Sequence, residues 1–538
     1  MKKVYIYILA LGLFSLNSCS DFLDSNPKTE ITDENFYRTK SDAEKAIIGC
    51  YDGLQQVWSA GIAFPVMSEI CSDNAFGGTG NADSWEYQVI DEFDLSIAPA
   101  EKDMFNANWK AYYKALYRCN MLLSKMDQIN WEGDETYRTY IEGQARFLRA
   151  YMYFDMVRTW ENIPLVTEPT VDNVAQSPVD EVYKLIAEDL KFASEISSQS
   201  YSSSWAAEND GRVTKWAAKS LLARVFLFYT GYYNQSDLVG VVSKTDALSG
   251  LEDVISNGGY TLVDDFARLW PGSAAYKKNK ENDNTEYAGK GHSETVFAIK
   301  YNYTSNYDGK TDGNHWLVML GLRNQTTYPY SKGWGACTVP SALWNQFDAN
   351  DERRALSIIN IAQEKIEADV KDQREYTGYS NKKYTPISTI VDGKVMDAVE
   401  ALGAVNFMIG QYQDYVSIRY SDVLLMAAEL GSSKAQTYYD AVRKRAGLNS
   451  RSATLDNILA ERRYEFAFEG HRYWDLLRQG INTAAQTLAT STTVKSGGVD
   501  TPKTIKAENI LKTRGFQQIP QEQITQSDNL LKQNPGWE

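Results

Sequence analysis

The sequence predicts a mostly α-helical protein, a tetratricopeptide-like scaffold of helix pairs carrying a large irregular, loop-rich region with short strands. Three observations predict it. Apolar residues recur at three- and four-residue spacing through both the first half of the chain and the stretch from about 415 to 480. Between Trp270 and about Gly410 that period is lost, and Gly, Asn, Asp, Thr and Tyr take over. The periodic stretches have lengths that suit antiparallel neighbours, although no clean repeat of about 34 residues recurs.

The chain opens with Met1-Lys2-Lys3 and an apolar run from Val4 to Leu16, the pattern of a secretory signal too short to span a bilayer. Leu16-Asn17-Ser18-Cys19 resembles a bacterial lipobox, in which the cysteine becomes the lipidated first residue; Asn17 stands where a small apolar residue is more usual. The organisation expected is a signal peptide at 1–18, a lipid-attached tether at 19–30 and a single domain at 31–538.

Within that domain, Ser41-Asp42-Ala43-Glu44 reads as a capping box before the first helix, which continues through Ala43, Ile47, Cys50, Leu54 and Trp58. A second helix is expected at about Asp103–Met126 and a third at about Thr136–Trp160. Ser177-Pro178-Val179-Asp180 opens a fourth that runs through Ile196. Thr214 caps a fifth, and Leu251–Ile255 sits in a shorter sixth closed by Asn257-Gly258-Gly259. Helices resume at Ser421–Leu430 and at Ala435–Ala446, where Arg443-Lys444-Arg445 compensate the negative helix end before Gly447. One long helix is expected over about Leu455–Arg478, with Glu461, Glu465 and Glu469 in an acidic row that Arg462 and Arg472 offset. The scaffold thus occupies about 41–58, 103–257 and 415–480, ligand loops about 61–102 and 270–410, and an irregular C-terminal part 481–538.

The 538 residues carry a net charge of −15, which opposes nucleic acid and anionic bilayer surfaces as partners. Beyond the leader no segment has the apolar length of a membrane span. Cys50, Cys71, Cys119 and Cys337 lack metal-ligand spacing; an exported protein permits one disulfide among them without specifying which. His292, His315 and His471 form no zinc motif, no nucleophile elbow exists, and Gly77-Gly78-Thr79-Gly80 lacks the lysine of a phosphate loop and reads as a flexible loop. Asp308-Gly309-Lys310-Thr311-Asp312-Gly313 imitates a calcium loop, but Lys310 and Met319 stand where carboxylates are needed. No cofactor is therefore expected, and a structural calcium finds no support in the residues. A glycoside hydrolase remains arithmetically open among 70 acids, without a pair to name.

Three stretches carry a resemblance. They are Ile418–Glu429 (IRYSDVLLMAAE), Asp440–Leu448 (DAVRKRAGL) and Glu461–Arg478 (ERRYEFAFEGHRYWDLLR), with Ser72-Asp73-Asn74 early in the chain and Asn534-Pro535-Gly536-Trp537 at its end. Together with the lipobox they resemble the SusD/RagB family of Bacteroidetes outer-membrane lipoproteins. The resemblance implies a SusD-like fold and a non-enzymatic protein on the cell surface. It would capture a nutrient, usually a glycan, and pass it to a SusC-like TonB-dependent transporter. Peptide cargo is the alternative within the family, and a secreted glycoside hydrolase or a protein-binding helical scaffold the alternatives outside it.

The residues themselves point to the same chemistry. Tyr301, Tyr303, Tyr307, Trp316, Tyr328, Tyr330, Trp334 and Trp344 crowd one stretch, interleaved with amides, Asp and Arg. Flat rings stack on the apolar face of a pyranose while polar groups bond its hydroxyls. The loop Asp73–Trp85 is the second candidate, since the family builds its platform from an N-terminal and a mid-chain loop. The expected contacts are Trp85, Trp316 and Trp334 for stacking, Tyr328 beside them, and Asp73, Asn74, Asn314 and Arg323 as polar partners.

Overall fold

The computed structural model describes residues 36–196, 211–281, 283–303, 312–404 and 406–538. The expected signal peptide, Cys19, the tether and the 308–311 part of the calcium-like loop lie outside the described residues. Among the described residues, eight helices build the first half: α1 (Lys40–Gln56), α2 (Phe64–Ile70), α3 (Glu86–Glu92), α4 (Asn106–Lys125), α5 (Glu135–Trp160), α6 (Val179–Ser194), α7 (Lys215–Tyr232) and α8 (Lys244–Asn257). Among them α1 packs on α4, α4 on α5, α5 on α6, α6 on α7 and α7 on α8, the succession of neighbours that helix-pair scaffolds use. No helix among the described residues is long and apolar enough to cross a membrane.

The local chemistry explains the ends. The capping box of α1 lies two residues before the expected one, at Thr39 and not Ser41: the Thr39 hydroxyl accepts the Asp42 N–H at 3.2 Å and the Asp42 carboxylate accepts the Thr39 N–H at 3.0 Å. α8 is longer than its periodicity suggested because Ser243 and Asp246 form a second capping box ahead of it. α5 is buried along most of its last five turns, from Tyr140 to Trp160, so it serves as the central post of the core.

The middle of the chain holds α9 (Pro271–Glu281) and short strands, as its composition indicated. Strands β1 (Phe76–Gly78), β2 (Thr295–Ile299), β3 (Ala336–Thr338), β4 (Ile358–Asn360), β5 (Tyr379–Asn381) and β6 (Tyr415–Arg419) form two sheets. The larger has the order β1-β3-β5-β4, all antiparallel, with Phe76 opposite Thr338 and Gly78 opposite Ala336. The smaller pairs β6 with β2. The stretch Gly77–Gly80 is therefore a buried strand and its exit, and the flexible loop expected there is corrected. Its glycines permit close approach: a Cβ on Gly80 would fall 1.9 Å from Arg323 Nη2, and one on Gly77 would lie 2.9 Å from the Tyr87 carbonyl.

The long helix expected over Leu455–Arg478 is two helices. After α10 (Tyr420–Glu429) and α11 (Ala435–Arg445), α12 (Leu455–Glu465) stops, and α13 (Arg472–Leu477) begins beyond a turn. Phe468 and Gly470 both have left-handed backbones, φ 67° and 77°, which a helix cannot accommodate. The turn is fixed from outside, because the Gly470 N–H donates to Glu69 Oε1 at 2.6 Å. The C-terminal part is likewise more regular than expected, with α14 (Ile481–Leu488), a hairpin of β7 (Thr490–Ser496) and β8 (Val499–Ile505), α15 (Ala507–Thr513) and α16 (Gln521–Gln526).

The acidic row is neutralised by a buried ion network and not by Arg462 and Arg472. Arg419 donates to Glu465 and Glu294 at 2.9 Å and to Glu469 at 2.8 Å. Arg353 reaches Glu461 at 2.7 Å, Glu465 at 3.1 Å and Asp351 at 2.8 Å. Arg443 pairs with Glu461, Arg445 with Glu294 and Glu465, and Lys383 with Glu469. Arg443 and Arg445 thus bind α11 to α12 and to Glu294, the residue just before β2, as well as sitting at a helix end. Arg462 turns to Asp422 and Asp475, and Arg472 to Asp73. Cys50, Cys71, Cys119 and Cys337 are buried free thiols, so the disulfide that export permits is not formed among them.

Candidate functional site

The four-stranded sheet sets the geometry of the site. By pairing β1 with β3 it brings residues 79–85 alongside 321–335, parts of the two wider stretches, Asp73–Trp85 and Tyr301–Trp344, that the sequence marked for ligand contact. The Thr79 N–H donates to the Gly335 carbonyl at 3.1 Å, and the Thr79 carbonyl accepts the Arg374 N–H at 2.9 Å.

Trp85 stands at the N-terminus of α3 with 46% of its surface exposed. The Arg374 guanidinium lies 4.0 Å from its ring centroid. That guanidinium is held by the carbonyls of Asn81 at 2.8 Å, Asp83 at 2.5 Å and Ser84 at 2.7 Å, and by Gln88 Oε1 at 3.2 Å. One face of the indole is thus backed by a fixed cation and much of the rest is open to solvent, a rigid stacking platform.

A polar rim surrounds it. Asp83 Oδ2 accepts from the Gly80 N–H at 2.6 Å and from Arg323 Nη1 at 3.2 Å. Arg323 also donates to Asp372 Oδ2 at 2.7 Å, and this bond holds the Asp372 carboxyl below its usual range. The exposed Asn81 and Asn324 complete the rim: Asn81 Nδ2 donates to the Lys371 carbonyl at 2.6 Å and Asn324 Nδ2 to Asp372 at 2.9 Å. Each amide keeps its oxygen free to accept from a ligand hydroxyl.

The other expected contacts separate into distinct roles. Trp316 is 1% exposed; its indole N–H donates to the Tyr301 hydroxyl at 3.3 Å and its ring packs edge-on against Trp58 and Tyr415. It is a core ring, and its assignment to stacking is corrected. Asn314 is fully buried: its Oδ1 accepts the Leu317 N–H and its Nδ2 donates to the Gln413 carbonyl, so it cannot meet a ligand. Asn74 is fully buried as well, accepting from Arg463 Nε at 3.1 Å. Asp73 is clamped by Arg472 at 2.7 Å and Arg463 at 2.9 Å, which outweigh burial and lower its carboxyl's pKa. Ser72-Asp73-Asn74 therefore anchors the loop to α12 and α13. Arg323 gives its donors to Asp83 and Asp372 and acts as a strut between the loops. Trp334 is half-buried, edge-on to His315 at 6.0 Å. Tyr328 lies elsewhere, in the wall of a separate cavity. Among the crowded rings, Tyr301 and Tyr330 are buried and Tyr307 lies outside the described residues.

Arg374 and Asp372 were not foreseen. Asp372-Gln373-Arg374-Glu375 carries no motif, and long-range bonds bring it beneath Trp85: the Arg374 N–H to the Thr79 carbonyl and its guanidinium to the carbonyls of the 81–84 loop.

Comparison with known proteins gives a consistent picture. A family model described as "SusD family" matches residues 370–537, and one described as "Starch-binding associating with outer membrane" matches residues 21–227. SusD-like protein P2 of Formosa agariphila is 25% identical over an alignment of 578 positions covering 100% of both chains. A solved structure described as "Laminarin binding SusD-like protein" is 25% identical, covers 93% of this chain and 100% of its own, and superposes with a TM-score of 0.70. Surface glycan-binding protein A from Bacteroides thetaiotaomicron, solved in complex with laminarihexaose, is 24% identical. It covers 92% of this chain and 99% of its own with a TM-score of 0.71, a likeness of fold.

Proposed function

Since the chain belongs to the SusD/RagB family, we propose that it is a glycan-binding lipoprotein of the outer-membrane surface that captures oligo- or polysaccharide without cleaving it and delivers it to a SusC-like TonB-dependent transporter. The observation that carries the reading is Trp85: a half-exposed indole held rigid by Arg374 inside a rim of Asn81, Asp83, Asn324 and Asp372. An exposed ring with fixed amide and carboxylate acceptors around it is built for a polyhydroxylated ligand with an apolar face. The relative that binds laminarin supports a neutral polysaccharide as the first candidate. The N-terminal run ending at Cys19 supports lipid attachment, with the segment after it as a tether.

The test is affinity electrophoresis and calorimetry of the soluble form, beginning after Cys19, against plant, microbial and host glycans with a peptide mixture alongside. Retention by one polysaccharide with no product released, lost in Trp85→Ala, is the expected result. Binding confined to peptides would move the cargo to the alternative within the family, and release of sugar product would make the protein an enzyme. Delivery is tested by co-purification with the co-expressed transporter.

A further inference from the structure

A second concave site lies outside the Trp85 surface and shares no residue with it. It is a cavity of about 310 Å³ between the start of α9, the 285–290 segment and the 385–387 and 411–413 stretches. That volume is at the lower end of small-molecule sites, which span about 300–1,000 Å³. It suits one or two sugar rings and not a polymer.

Its walls carry three tyrosine rings, Tyr287, Tyr328 and Tyr412. None of their hydroxyls bonds to a protein group among the described residues, whereas nearby tyrosines are satisfied: Tyr330 donates to Glu364 at 2.8 Å and Tyr303 to the Leu402 carbonyl at 3.0 Å. Thr385, 1% exposed and in the same wall, has a buried hydroxyl with no partner among the described residues. Buried polar groups are otherwise paired in the great majority of cases, so an orphan beside a cavity marks a place where a bond is made by something else. It can turn to an arriving hydroxyl without giving up an existing bond.

The charges at the rim are already balanced. Lys278 pairs with Glu286, and Lys290 with Asp414 at 3.0 Å while donating to the Tyr301 carbonyl. A uronate or sulfated sugar would find no unpaired cation here, whereas a neutral one meets rings for its apolar face and free hydroxyls for its polar edge.

We infer that this tyrosine cavity is a second sugar site that takes a single neutral pyranose unit, a chain end or a side branch, while the Trp85 surface holds the chain itself. The inference rests on the glycan reading above. The experiment is saturation-transfer NMR of the soluble protein with laminaribiose, cellobiose and maltose, with glucuronic acid as the charged probe, in parallel with polysaccharide affinity electrophoresis. The expected result is transfer to at least one neutral disaccharide in the wild type and in Trp85→Ala. Its affinity should fall at least tenfold in Tyr412→Ala and in Thr385→Val. Thr385→Val loses no bond of the folded protein, so its melting temperature should hold, and it keeps the test decisive if Tyr412→Ala folds poorly. Polysaccharide retention with no disaccharide transfer, transfer unchanged by both cavity variants, or preference for glucuronic acid would each overturn the second site and leave the Trp85 reading standing. Loss of every glycan interaction from the wild type would overturn both.

Discussion

The guanidinium of Arg374 lies 4.0 Å from the centroid of the Trp85 ring, and its donors are spent on the backbone carbonyls of the loop that presents that ring. One side chain therefore sets both the orientation of the indole and the path of residues 81–84. Preorganisation of this kind lowers the ordering cost that a flexible stacking residue would incur on binding.

Removing the ring should cost binding and little else. Trp85→Ala is expected to weaken polysaccharide binding by roughly 30-fold or more, the scale of an interface hot spot of about 2 kcal/mol. The unfolding free energy should change by about 1 kcal/mol or less, since the half-exposed ring mainly loses its cation–π contact. Calorimetry and denaturant titration on the same sample check both numbers. Trp316→Ala should behave oppositely, losing about 3–5 kcal/mol of stability from a core position.

Arg374→Lys should separate charge from shape. The ammonium keeps the cation but cannot engage three carbonyls in a planar fork. Faster hydrogen exchange at residues 80–85 and weaker glycan binding are expected, with the global melt nearly unmoved; unchanged exchange would show that the loop holds itself.

Arg419→Met should be severe. Glu294, Glu465 and Glu469 would each lose a partner inside the core, and breaking a buried network from one side costs about 3–5 kcal/mol. Poor expression or a melting temperature lowered by several degrees is the expected outcome, and a near-neutral variant would contradict the network's role.

Glu69 gives a pH dependence with a definite sign. Burial raises its pKa from 4.5 to about 7, only partly countered by the Gly470 N–H. The folded state therefore holds a proton that the unfolded chain releases near 4.5. Its contribution is full below that value and is lost as pH rises through about 7. Glu69→Gln, which keeps an acceptor for Gly470, should flatten the part of the stability profile that falls between pH 4.5 and 7, as read by chemical denaturation across that window.

Thiol titration should find the four core cysteines reduced and hidden. The soluble form that begins after Cys19 is expected to react hardly at all with an aromatic disulfide reagent until denatured, and then to yield four equivalents. Fewer than four would reveal a bridge.

What could be read beforehand, and what could not, follows from the range of the forces involved. Helix starts were legible because capping is local: Thr214 caps α7 as its spacing implied. The break at 466–471 was not, because its cause, Glu69 accepting from Gly470, lies 401 residues away in sequence. Trp85 could be singled out as a tryptophan in a polar loop, whereas Trp316 opens the apolar run Trp316-Leu317-Val318-Met319-Leu320, a local sign of burial that the crowd of surrounding rings and amides obscured. The edge-on packing of Trp58 and Tyr415 around Trp316 completes its burial. Arg374 and Thr385 carried no signal, since what distinguishes each is a neighbour supplied by another strand or wall.

The charge network of Arg353, Arg419, Arg445 and Glu465 includes none of the residues around Trp85 or the tyrosine cavity. The stretch by which this chain declares its kinship is thus a clamp turned inward and mute about cargo. Cargo contact and architecture are carried by different residues, and grafting 79–85 together with 321–335 and 369–376 onto a relative should transfer the donor's preference while leaving the host's foundations in place.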